Sequence, residues 1–454
     1  MNKTFEIETL GCKVNEYESA YYAEQLEKAG FRKVQPGETA DVLVINTCTV
    51  TNTAAAKSRR KIHRVKRENP QAVTAAVGCY VQVSSKEERE ELGVDVLIGA
   101  AHKDQLAQIL LETMRQKEEQ ANENYSAGPD AETAFSSRDG VEDLVESSRD
   151  LTRFESMPIG HFEGQHRAFL KIQDGCNQYC AYCQIPLARG PERSQIPEEV
   201  VKSAVSLAKS GHKEIVLTGI HTGRYRFRQT DLSQLLKRLL ENTPEDVCYR
   251  ISSIEITEVS DALLDLMAEN PRILPHLHIP IQAGDNRTLA RMKRPYTVED
   301  FEKRLEEIRA RIPHISISTD VICGFVQESD DEFATTVKTL EDCRFSFLHV
   351  FPYSRRKGTA ADAMTGFIRG DIAKARTDQL LELSARLREK DMDRFDEAQV
   401  LVERADANDP NRYLGYTSQY HPIQILSETP LNGRVNVKMT EIQDGHYLAV
   451  LKEE

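Results

Sequence analysis

The chain has 454 residues, of which 40% are hydrophobic and 29% charged, and its formal net charge is −13 at pH 7. This composition is typical of a globular protein with two to four domains. It excludes a membrane protein, because no apolar run approaches the roughly 20 residues of a spanning helix. No signal-peptide pattern opens the sequence, so we expect a cytoplasmic location. The negative charge argues against indiscriminate nucleic-acid binding and still allows a local basic face.

Residues 1–115 alternate strand and helix patterns, which predicts a small parallel α/β domain. Short apolar strands are predicted over residues 5–10, 42–46, 73–77 and 94–98. Cys12, Cys48 and Cys79 each follow one of the first three strands. Because ligand sites in open α/β sheets gather beyond the carboxyl ends of the strands, we expect these thiols to converge at one edge.

Residues 116–150 differ in composition, with ten acidic residues and few large apolar ones. We predict a flexible acidic linker with a frayed helix at its start. From 166 to about 352 the strand–helix alternation returns, within a domain predicted over residues 151–385. Six strands are predicted over residues 168–172, 214–218, 249–254, 276–281, 315–322 and 346–351. Six such units predict a partial (β/α)6 barrel, since a complete barrel needs eight.

A long polar helix is predicted over residues 370–398, and five short strand patterns follow within residues 399–451. Turn residues separate these patterns, which predicts a small antiparallel β-barrel in a terminal domain over residues 386–454.

A run of three cysteines carries the strongest chemical signal. Cys176, Cys180 and Cys183 form a C-x3-C-x2-C triplet after the first predicted barrel strand. Three thiolates on one loop hold three irons of a four-iron cluster and leave the fourth open. Zinc is the alternative, but a structural zinc site normally takes four protein ligands, and no fourth Cys or His stands at the expected offset.

The triplet resembles the signature of the radical S-adenosylmethionine (radical SAM) superfamily. The resemblance implies that the open iron binds the amine and carboxylate of S-adenosylmethionine, whose one-electron reduction releases a 5′-deoxyadenosyl radical. Tyr182 matches an aromatic position that lies beside the cofactor adenine in this superfamily. Packing in a core is the alternative role for that ring.

Further motifs resemble the methylthiotransferase family. They are residues 9–15 (TLGCKVN), 46–51 (NTCTVT), 78–79 (GC), 185–194, 250–255 (RISSIE) and 276–282 (HLHIPIQ). The terminal barrel matches the family's TRAM domain, an RNA-binding module, in position and length. The runs "GCKVN" and "NTCTVTN" resemble the branch that methylthiolates carbon-2 of N6-threonylcarbamoyladenosine, next to the tRNA anticodon.

This resemblance implies two [4Fe-4S] clusters. Cys176, Cys180 and Cys183 would bind the radical-generating cluster, and residues 1–115 would carry an auxiliary cluster on Cys12, Cys48 and Cys79. S-adenosylmethionine would be the cofactor and methyl donor. The implied cofactor-binding residues are Tyr182, Arg193, Ser253, Glu255 and Gln282. The implied partners are tRNA and an electron donor such as flavodoxin or ferredoxin, with no DNA and no membrane.

The loop at 324–329 (GFVQES) departs from the family pattern, which has Pro and Gly at 326 and 327. Because those residues set turn geometry, we carry over no backbone contact to these two positions. Cys323 and Cys343 are additional to the family pattern, and we expect them to be buried thiols.

A basic run after Cys48 is the candidate RNA-binding surface, with Arg59, Arg60, Arg64 and Arg67 as its proposed contacts. A merely solvated helix face is the alternative. For a substrate that ends in a carboxylate, we expect cations or hydrogen-bond donors in the pocket. His221, Arg224 and Arg355 are candidates by loop position.

Three other functions remain open on the sequence alone. The same chemistry acts on isopentenyladenosine in one branch of the family and on an aspartate of a ribosomal protein in another. A non-catalytic RNA-binding protein with zinc at its cysteines is the third alternative.

Overall fold

The computed structural model describes residues 3–126, 141–162, 166–443 and 445–452. The chain forms two compact units. The first consists of Met1–Ile159, Asp174–Gln178 and Cys183–Arg193, and the second of Gly160–Gln173, Tyr179–Tyr182 and Ser194–Glu454. Within the described ranges, every helix is too short or too polar to cross a membrane.

The N-terminal part of the chain is a six-stranded parallel sheet with helices. Its elements are β1 (Thr4–Thr9), α1 (Lys13–Lys28), β2 (Arg32–Lys33), β3 (Val42–Thr47), α2 (Asn52–Glu68), β4 (Val73–Gly78), α3 (Cys79–Val83), α4 (Lys86–Glu90), β5 (Val96–Ile98), α5 (Leu106–Ser126) and β6 (Glu142–Asp143). The strand order is β2-β1-β3-β4-β5-β6. The central strands β3 and β4 are buried along their whole length, as strands covered on both faces must be. The predicted parallel α/β fold is confirmed.

The segment predicted as a flexible linker over residues 116–150 contains regular structure in its described parts. Helix α5 continues to Ser126, and β6 adds to the sheet beside β5. The amide of Glu142 donates to the carbonyl of Asp95 at 2.9 Å. The helix at the start of the segment agrees with the prediction. The pairing of β6 departs from it, because strand pairing uses main-chain groups and needs no apolar side chains. The rest of that prediction, residues 127–140, lies outside the described residues.

The middle of the chain carries six parallel barrel strands with their helices, and two short two-stranded sheets, β8-β9 and β11-β12. The elements are β7 (Arg167–Lys171), β8 (Gln173–Asp174), α6 (Ile185–Arg189), β9 (Arg193–Ser194), α7 (Pro197–Lys209), β10 (Glu214–Thr218), β11 (Arg226–Phe227), β12 (Thr230–Asp231), α8 (Leu232–Asn242), β13 (Cys248–Ile251), α9 (Asp261–Glu269), β14 (His276–His278), α10 (Asn286–Arg291), α11 (Val298–Arg311), β15 (Ser316–Cys323), α12 (Asp330–Asp342) and β16 (Phe347–Pro352). Parallel ladders run in the orders β13-β10-β7 and β14-β15-β16, and a bridge between Ser253 and His278 joins them. The predicted partial (β/α)6 barrel is confirmed.

Strand β14 ends at His278, three residues before the predicted end. Pro280 has no amide hydrogen to donate to a ladder. Gln282 then adopts a left-handed backbone, with φ of 67°. The chain therefore leaves the strand earlier than the apolar pattern predicts.

The C-terminal part consists of α13 (Gly370–Met392) and a closed five-stranded barrel. The strands are β17 (Glu397–Ala405), β18 (Arg412–Thr417), β19 (Pro422–Leu426), β20 (Arg434–Gln443) and β21 (His446–Leu451), in the order β17-β18-β19-β21-β20. The predicted small β-barrel is confirmed, with two differences. Strands β19 and β21 pair in parallel and not antiparallel, and the preceding helix ends at Met392 and not at 398.

A buried charge cluster joins this terminal barrel to the six-stranded part of the second unit. Glu214, at the start of β10, is 1% exposed and accepts hydrogen bonds from Arg167 at 3.1 Å and Arg250 at 2.7 Å. Arg434 of the terminal barrel lies 3.5 Å from the same carboxylate. Burial favours the neutral acid, but the arginines outweigh it and lower the pKa of Glu214 to about 2.

Candidate functional site

The first unit brings three distant cysteines to one edge of its sheet. Cys12 precedes α1, Cys48 follows β3 and Cys79 begins α3, and their strands β1, β3 and β4 are neighbours. Burial, together with the charges of Cys79 and Cys12, raises the pKa of Cys48 to about 11, against the opposing effect of Arg189. Three thiols whose charges act on one another form a ready set of metal ligands.

Gly78 fixes the path of the chain into Cys79. Its φ of 101° is a conformation that residues with a side chain rarely adopt. A Cβ at this position would lie 2.9 Å from Oδ1 of Asn46 and 3.1 Å from the carbonyl oxygen of Thr47. Only glycine therefore allows Cys79 to turn towards the sheet edge at this point.

Arg189, at the end of α6, lies within the motif at 185–194, but the sequence analysis assigned it no role. Its side chain is buried, and its Nε donates to Sγ of Cys79 at 3.2 Å. Nη2 donates to Oδ1 of Asn15 at 2.7 Å. Nη1 donates to Glu18 at 2.9 Å and lies 3.3 Å from Asp174. Burial lowers the pKa of Arg189, but Cys79 and these carboxylates outweigh that effect and hold it well above its usual value.

Helix α2 holds Cys48 through its buried face. The hydroxyl of Ser58 accepts from the amide of Cys48 and donates to its carbonyl, each at 3.1 Å. The four predicted RNA contacts lie on the exposed face of this helix; they are Arg59, Arg60, Arg64 and Arg67. Arg64 pairs with Glu68 on the same helix at 2.9 Å. One helix thus carries an exposed basic face and positions a cysteine.

The triplet of Cys176, Cys180 and Cys183 lies on one irregular loop, and all three residues are partly buried. Gly175 precedes it with φ of 73°, and a Cβ there would lie 1.9 Å from the carbonyl oxygen of Pro191. The backbone at the start of the loop therefore packs too closely for any other residue.

Within the second unit, Arg294 connects the loop to the barrel. Its Nη1 donates to Sγ of Cys180 at 3.2 Å, and its Nη2 forms an ion pair with Glu255. Nη2 also donates to the hydroxyl of Tyr296 at 2.9 Å. Burial raises the pKa of Glu255, although Arg294 opposes the rise. Sequence reasoning missed Arg294 because it lies in a loop outside every quoted motif.

Tyr182 lies in the same loop and contacts an aromatic row. Its ring meets Phe325 edge-on at 6.5 Å between centroids, and Phe325 meets Tyr353 at 5.1 Å. The amide of Ala181 donates to the carbonyl of Met292 at 2.9 Å, which ties the loop to the barrel.

The remaining predicted cofactor residues have different surroundings. Ser253 and Gln282 lie beyond the carboxyl ends of β13 and β14, where Ser253 forms an isolated bridge to His278 and Gln282 to Val321. Arg193 is buried and donates from Nη1 to the carbonyls of Arg189 and Pro191, at 2.8 and 2.9 Å. Those bonds brace its own loop, and its role in cofactor binding stays a prediction.

A polar cluster on the inner strands was not foreseen. One ligand atom from each of His278, Asp320 and His349 lies within 4.8 Å of the others, on β14, β15 and β16. Nε2 of His278 is 3.2 Å from Asp320, and its Nδ1 is 2.9 Å from the hydroxyl of Ser318. Thr319, next to Asp320, is fully buried on the opposite face of β15.

The polar residues suggested for substrate selection are paired with acids. His221 and Arg224 both contact Glu258, at 2.7 and 2.9 Å. Arg355 contacts Asp362 at 2.6 Å. The additional thiols Cys323 and Cys343 are buried, as expected.

The sequence matches two family models and full-length relatives. Residues 4–99 match Uncharacterized protein family UPF0004, and residues 170–340 match the Radical SAM superfamily. Threonylcarbamoyladenosine tRNA methylthiotransferase MtaB of Bacillus subtilis is 35% identical, over 99% of this chain and 98% of that protein. The chain belongs to the radical SAM tRNA methylthiotransferase family. A second relative, tRNA-2-methylthio-N(6)-dimethylallyladenosine synthase of a Thermoanaerobacter species, is 30% identical over 97% of this chain and 91% of that protein.

Solved structures agree at the level of the fold. The methyltransferase TsrM from Kitasatospora setae, a radical SAM enzyme with cobalamin and a [4Fe-4S] cluster bound, superimposes with a TM-score of 0.56. The match covers 80% of the methylthiotransferase chain and 77% of TsrM at 15% identity. As a radical SAM enzyme, the methylthiotransferase uses a [4Fe-4S] cluster and S-adenosylmethionine.

Proposed function

We propose that this methylthiotransferase modifies carbon-2 of N6-threonylcarbamoyladenosine next to the anticodon of tRNA. The observation that carries the methylthio chemistry is the meeting of Cys12, Cys48 and Cys79 at one sheet edge, separate in sequence from the triplet. A radical enzyme that only abstracts hydrogen needs one cluster, whereas insertion of sulfur calls for a second set of thiols. We propose that these thiols hold an auxiliary [4Fe-4S] cluster.

The residues at the two cysteine sets fit iron–sulfur clusters. In the first unit, three thiols lie beside the buried cation Arg189, which suits an anionic cluster. In the second unit, Cys180 accepts a hydrogen bond from Arg294 in the same way. We propose that Cys176, Cys180 and Cys183 hold the radical-generating cluster. Bound by these cysteines, the cluster would supply the electron that cleaves S-adenosylmethionine and releases a radical. A radical is needed because carbon-2 of adenine is not activated for polar substitution.

The chain's own residues bind and orient the reactants. We propose that Tyr182, Ser253, Glu255 and Gln282 contact S-adenosylmethionine. Glu255 supports this role because Arg294 holds it beside the cysteine loop, where a carboxylate can accept from an amine or a ribose hydroxyl. The Tyr182 ring has Phe325 at one edge and presents a surface for stacking.

Transfer RNA is proposed to bind along the exposed face of α2. Its arginines contact phosphates, and the modified base leaves its stack to reach the radical site. The electron would come from a flavodoxin- or ferredoxin-like donor in the cytoplasm.

Two observations favour the threonylcarbamoyl substrate over the isopentenyl one. Identity is 35% to the B. subtilis MtaB protein and 30% to the dimethylallyladenosine synthase. The cluster of His278, Asp320 and His349 offers hydrogen-bonding groups on the barrel strands. Threonylcarbamoyl ends in a carboxylate and a hydroxyl, and a site built for such groups rejects an apolar analogue strongly.

The test offers reconstituted enzyme two tRNAs that differ only in this modification, with mass spectrometry of the digested nucleosides as readout. We expect methylthiolation of the threonylcarbamoyl tRNA and little of the isopentenyl tRNA. The Cys180→Ala variant is the control for radical-dependent product. Efficient reaction of the isopentenyl tRNA alone would overturn the proposed substrate and leave the family chemistry standing.

A further inference from the structure

The contacts of Arg189 assign it a task that the family chemistry does not specify. All three nitrogens of its guanidinium have partners within the first unit. Nη1 and Nη2 contact the side chains of Glu18, Asp174 and Asn15, while Nε donates to Sγ of Cys79. A guanidinium holds its donors in a fixed fork, so the two Nη contacts also fix the direction in which the Nε–H points.

The neighbouring carboxylates do not depend on Arg189 alone. Glu18 also contacts the buried amine of Lys103 at 3.0 Å, and Asp174 lies 3.5 Å from Arg193. With a second cation beside each acid, Arg189 is not fully neutralised by its carboxylates. Its positive charge is therefore left to act on the sulfur, in a buried environment where charge interactions are strong.

We propose that Arg189 is a positioning residue that donates an N–H···S hydrogen bond to the Cys79 thiolate of the auxiliary cluster and raises the reduction potential of that cluster. The inference rests on the proposed auxiliary cluster. One-electron reduction adds a negative charge to the cluster. A hydrogen bond to a ligand sulfur and a nearby cation both stabilise the reduced form more than the oxidised form.

The experiment isolates the auxiliary cluster. A parent variant with Cys176, Cys180 and Cys183 replaced by Ala is reconstituted with iron and sulfide, and its midpoint potential is measured by redox titration followed by electron paramagnetic resonance. We expect about four iron per chain, as one four-iron cluster implies. Arg189→Gln in this parent should shift the midpoint to a lower potential. Arg189→Lys keeps the buried charge, and hence the fold, and should give a smaller shift in the same direction.

Arg89→Gln is the control, because Arg89 is a partly buried arginine of the first unit that contacts the carbonyl of Ser84 and the carboxylate of Asp143, away from Arg189 and its two acids. Its potential should equal that of the parent. An unchanged potential in both Arg189 variants, with iron loaded normally, would overturn this inference alone. A parent that binds no cluster would overturn the proposed auxiliary site and this inference with it.

Discussion

Nη1 of Arg294 lies 3.2 Å from Sγ of Cys180, the same distance that separates Nε of Arg189 from Sγ of Cys79. Both arginines are buried, and both are held by a carboxylate that is not their sequence neighbour. Each unit therefore presents one cysteine sulfur to a fixed cation, although the two arginines come from unrelated stretches of the chain.

Arg294→Lys should slow cleavage of S-adenosylmethionine by about 10- to 100-fold, the usual effect of losing an outer partner of a metal ligand. Lysine keeps the charge beside Glu255 but cannot serve Cys180, Glu255 and Tyr296 together. The measurement is the rate of 5′-deoxyadenosine formation with a chemical reductant. Arg291→Lys is the control, because Arg291 pairs with Glu332 and, among the described residues, contacts no cysteine. Unchanged cleavage in Arg294→Lys would contradict the role of this arginine.

The two cysteine sets should have separable effects. Cys180→Ala should abolish cleavage of S-adenosylmethionine, because it removes one of three ligands of the radical-generating cluster. Cys48→Ala should keep cleavage and lose methylthio transfer to tRNA. Both reactions are measured on the same reconstituted samples. Normal methylthiolation by the Cys48 variant would refute the auxiliary role of the first set.

Gly78→Ala should disrupt the auxiliary site and leave the radical cluster loaded. The new Cβ would meet Asn46 and Thr47 at 2.9 and 3.1 Å, directly before Cys79. Gly37→Ala is the matched control: its φ of 85° is strained in the same way, yet nothing lies within 4 Å of the new Cβ. Iron content should fall by about half in Gly78→Ala, from two four-iron clusters to one, and stay normal in the control. Equal iron content in the two variants would contradict the claim that a side chain at position 78 displaces Cys79.

The basic face of α2 should control tRNA affinity through phosphate contacts. Replacing Arg60 and Arg64 with Ala should weaken tRNA binding and flatten its dependence on salt concentration. With fewer phosphate contacts, binding releases fewer counterions from the tRNA. Arg115→Ala, an exposed arginine of α5 paired with Glu112 and Glu119, should change neither. Binding is measured by titration at several salt concentrations, with iron content as the check on folding. An unchanged slope would leave α2 as an ordinary solvated helix.

Glu214 should make the stability of the second unit depend on pH. Its pKa in the folded chain is about 2, below the ordinary value of 4.5. A depressed carboxyl pKa stabilises the fold above pH 4.5, and the contribution, about 3 kcal/mol, is lost as the pH falls from 4.5 to 2. Glu214→Gln should lower the melting temperature at pH 7 strongly, because it leaves the arginines unpaired.

The difference in melting temperature between Glu214→Gln and the native chain should narrow as the pH is lowered towards 3. The exposed Glu241→Gln is the control and should melt like the native chain at every pH. A constant difference across the pH range would show that the charge of Glu214 is not what stabilises the unit.

Much of the architecture follows from the sequence because strands and helices leave periodic patterns. The six barrel strands and the five strands of the terminal barrel were predicted in number and order. Strands β2 and β6 were not, because each has two residues and pairs through its main chain alone. The convergence of Cys12, Cys48 and Cys79 was predicted because strand order in a parallel sheet decides where the strand ends meet.

The arginines of the site could not be predicted in the same way. Arg189 and Arg294 act through contacts with residues about 110 positions away in sequence, as in the bonds to Cys79 and Cys180. No local pattern records such a contact. The polar cluster of His278, Asp320 and His349 was missed for the same reason, since its members come from three strands.

Tyr420, between β18 and β19, connects the terminal barrel to the six-stranded part of the second unit. Its ring lies 5.2 Å from the guanidinium carbon of Arg167 and 4.7 Å from that of Arg250, and 5.1 Å from the ring of His276. These three residues belong to β7, β13 and β14, and Arg167 and His276 are the first residues of their strands. Through Tyr420, the terminal barrel therefore packs against three strands of the six-stranded part of the second unit. Deleting the terminal barrel would expose the buried side chains of Arg167, Arg250 and His276, so we expect a truncated enzyme to lose stability in its catalytic part.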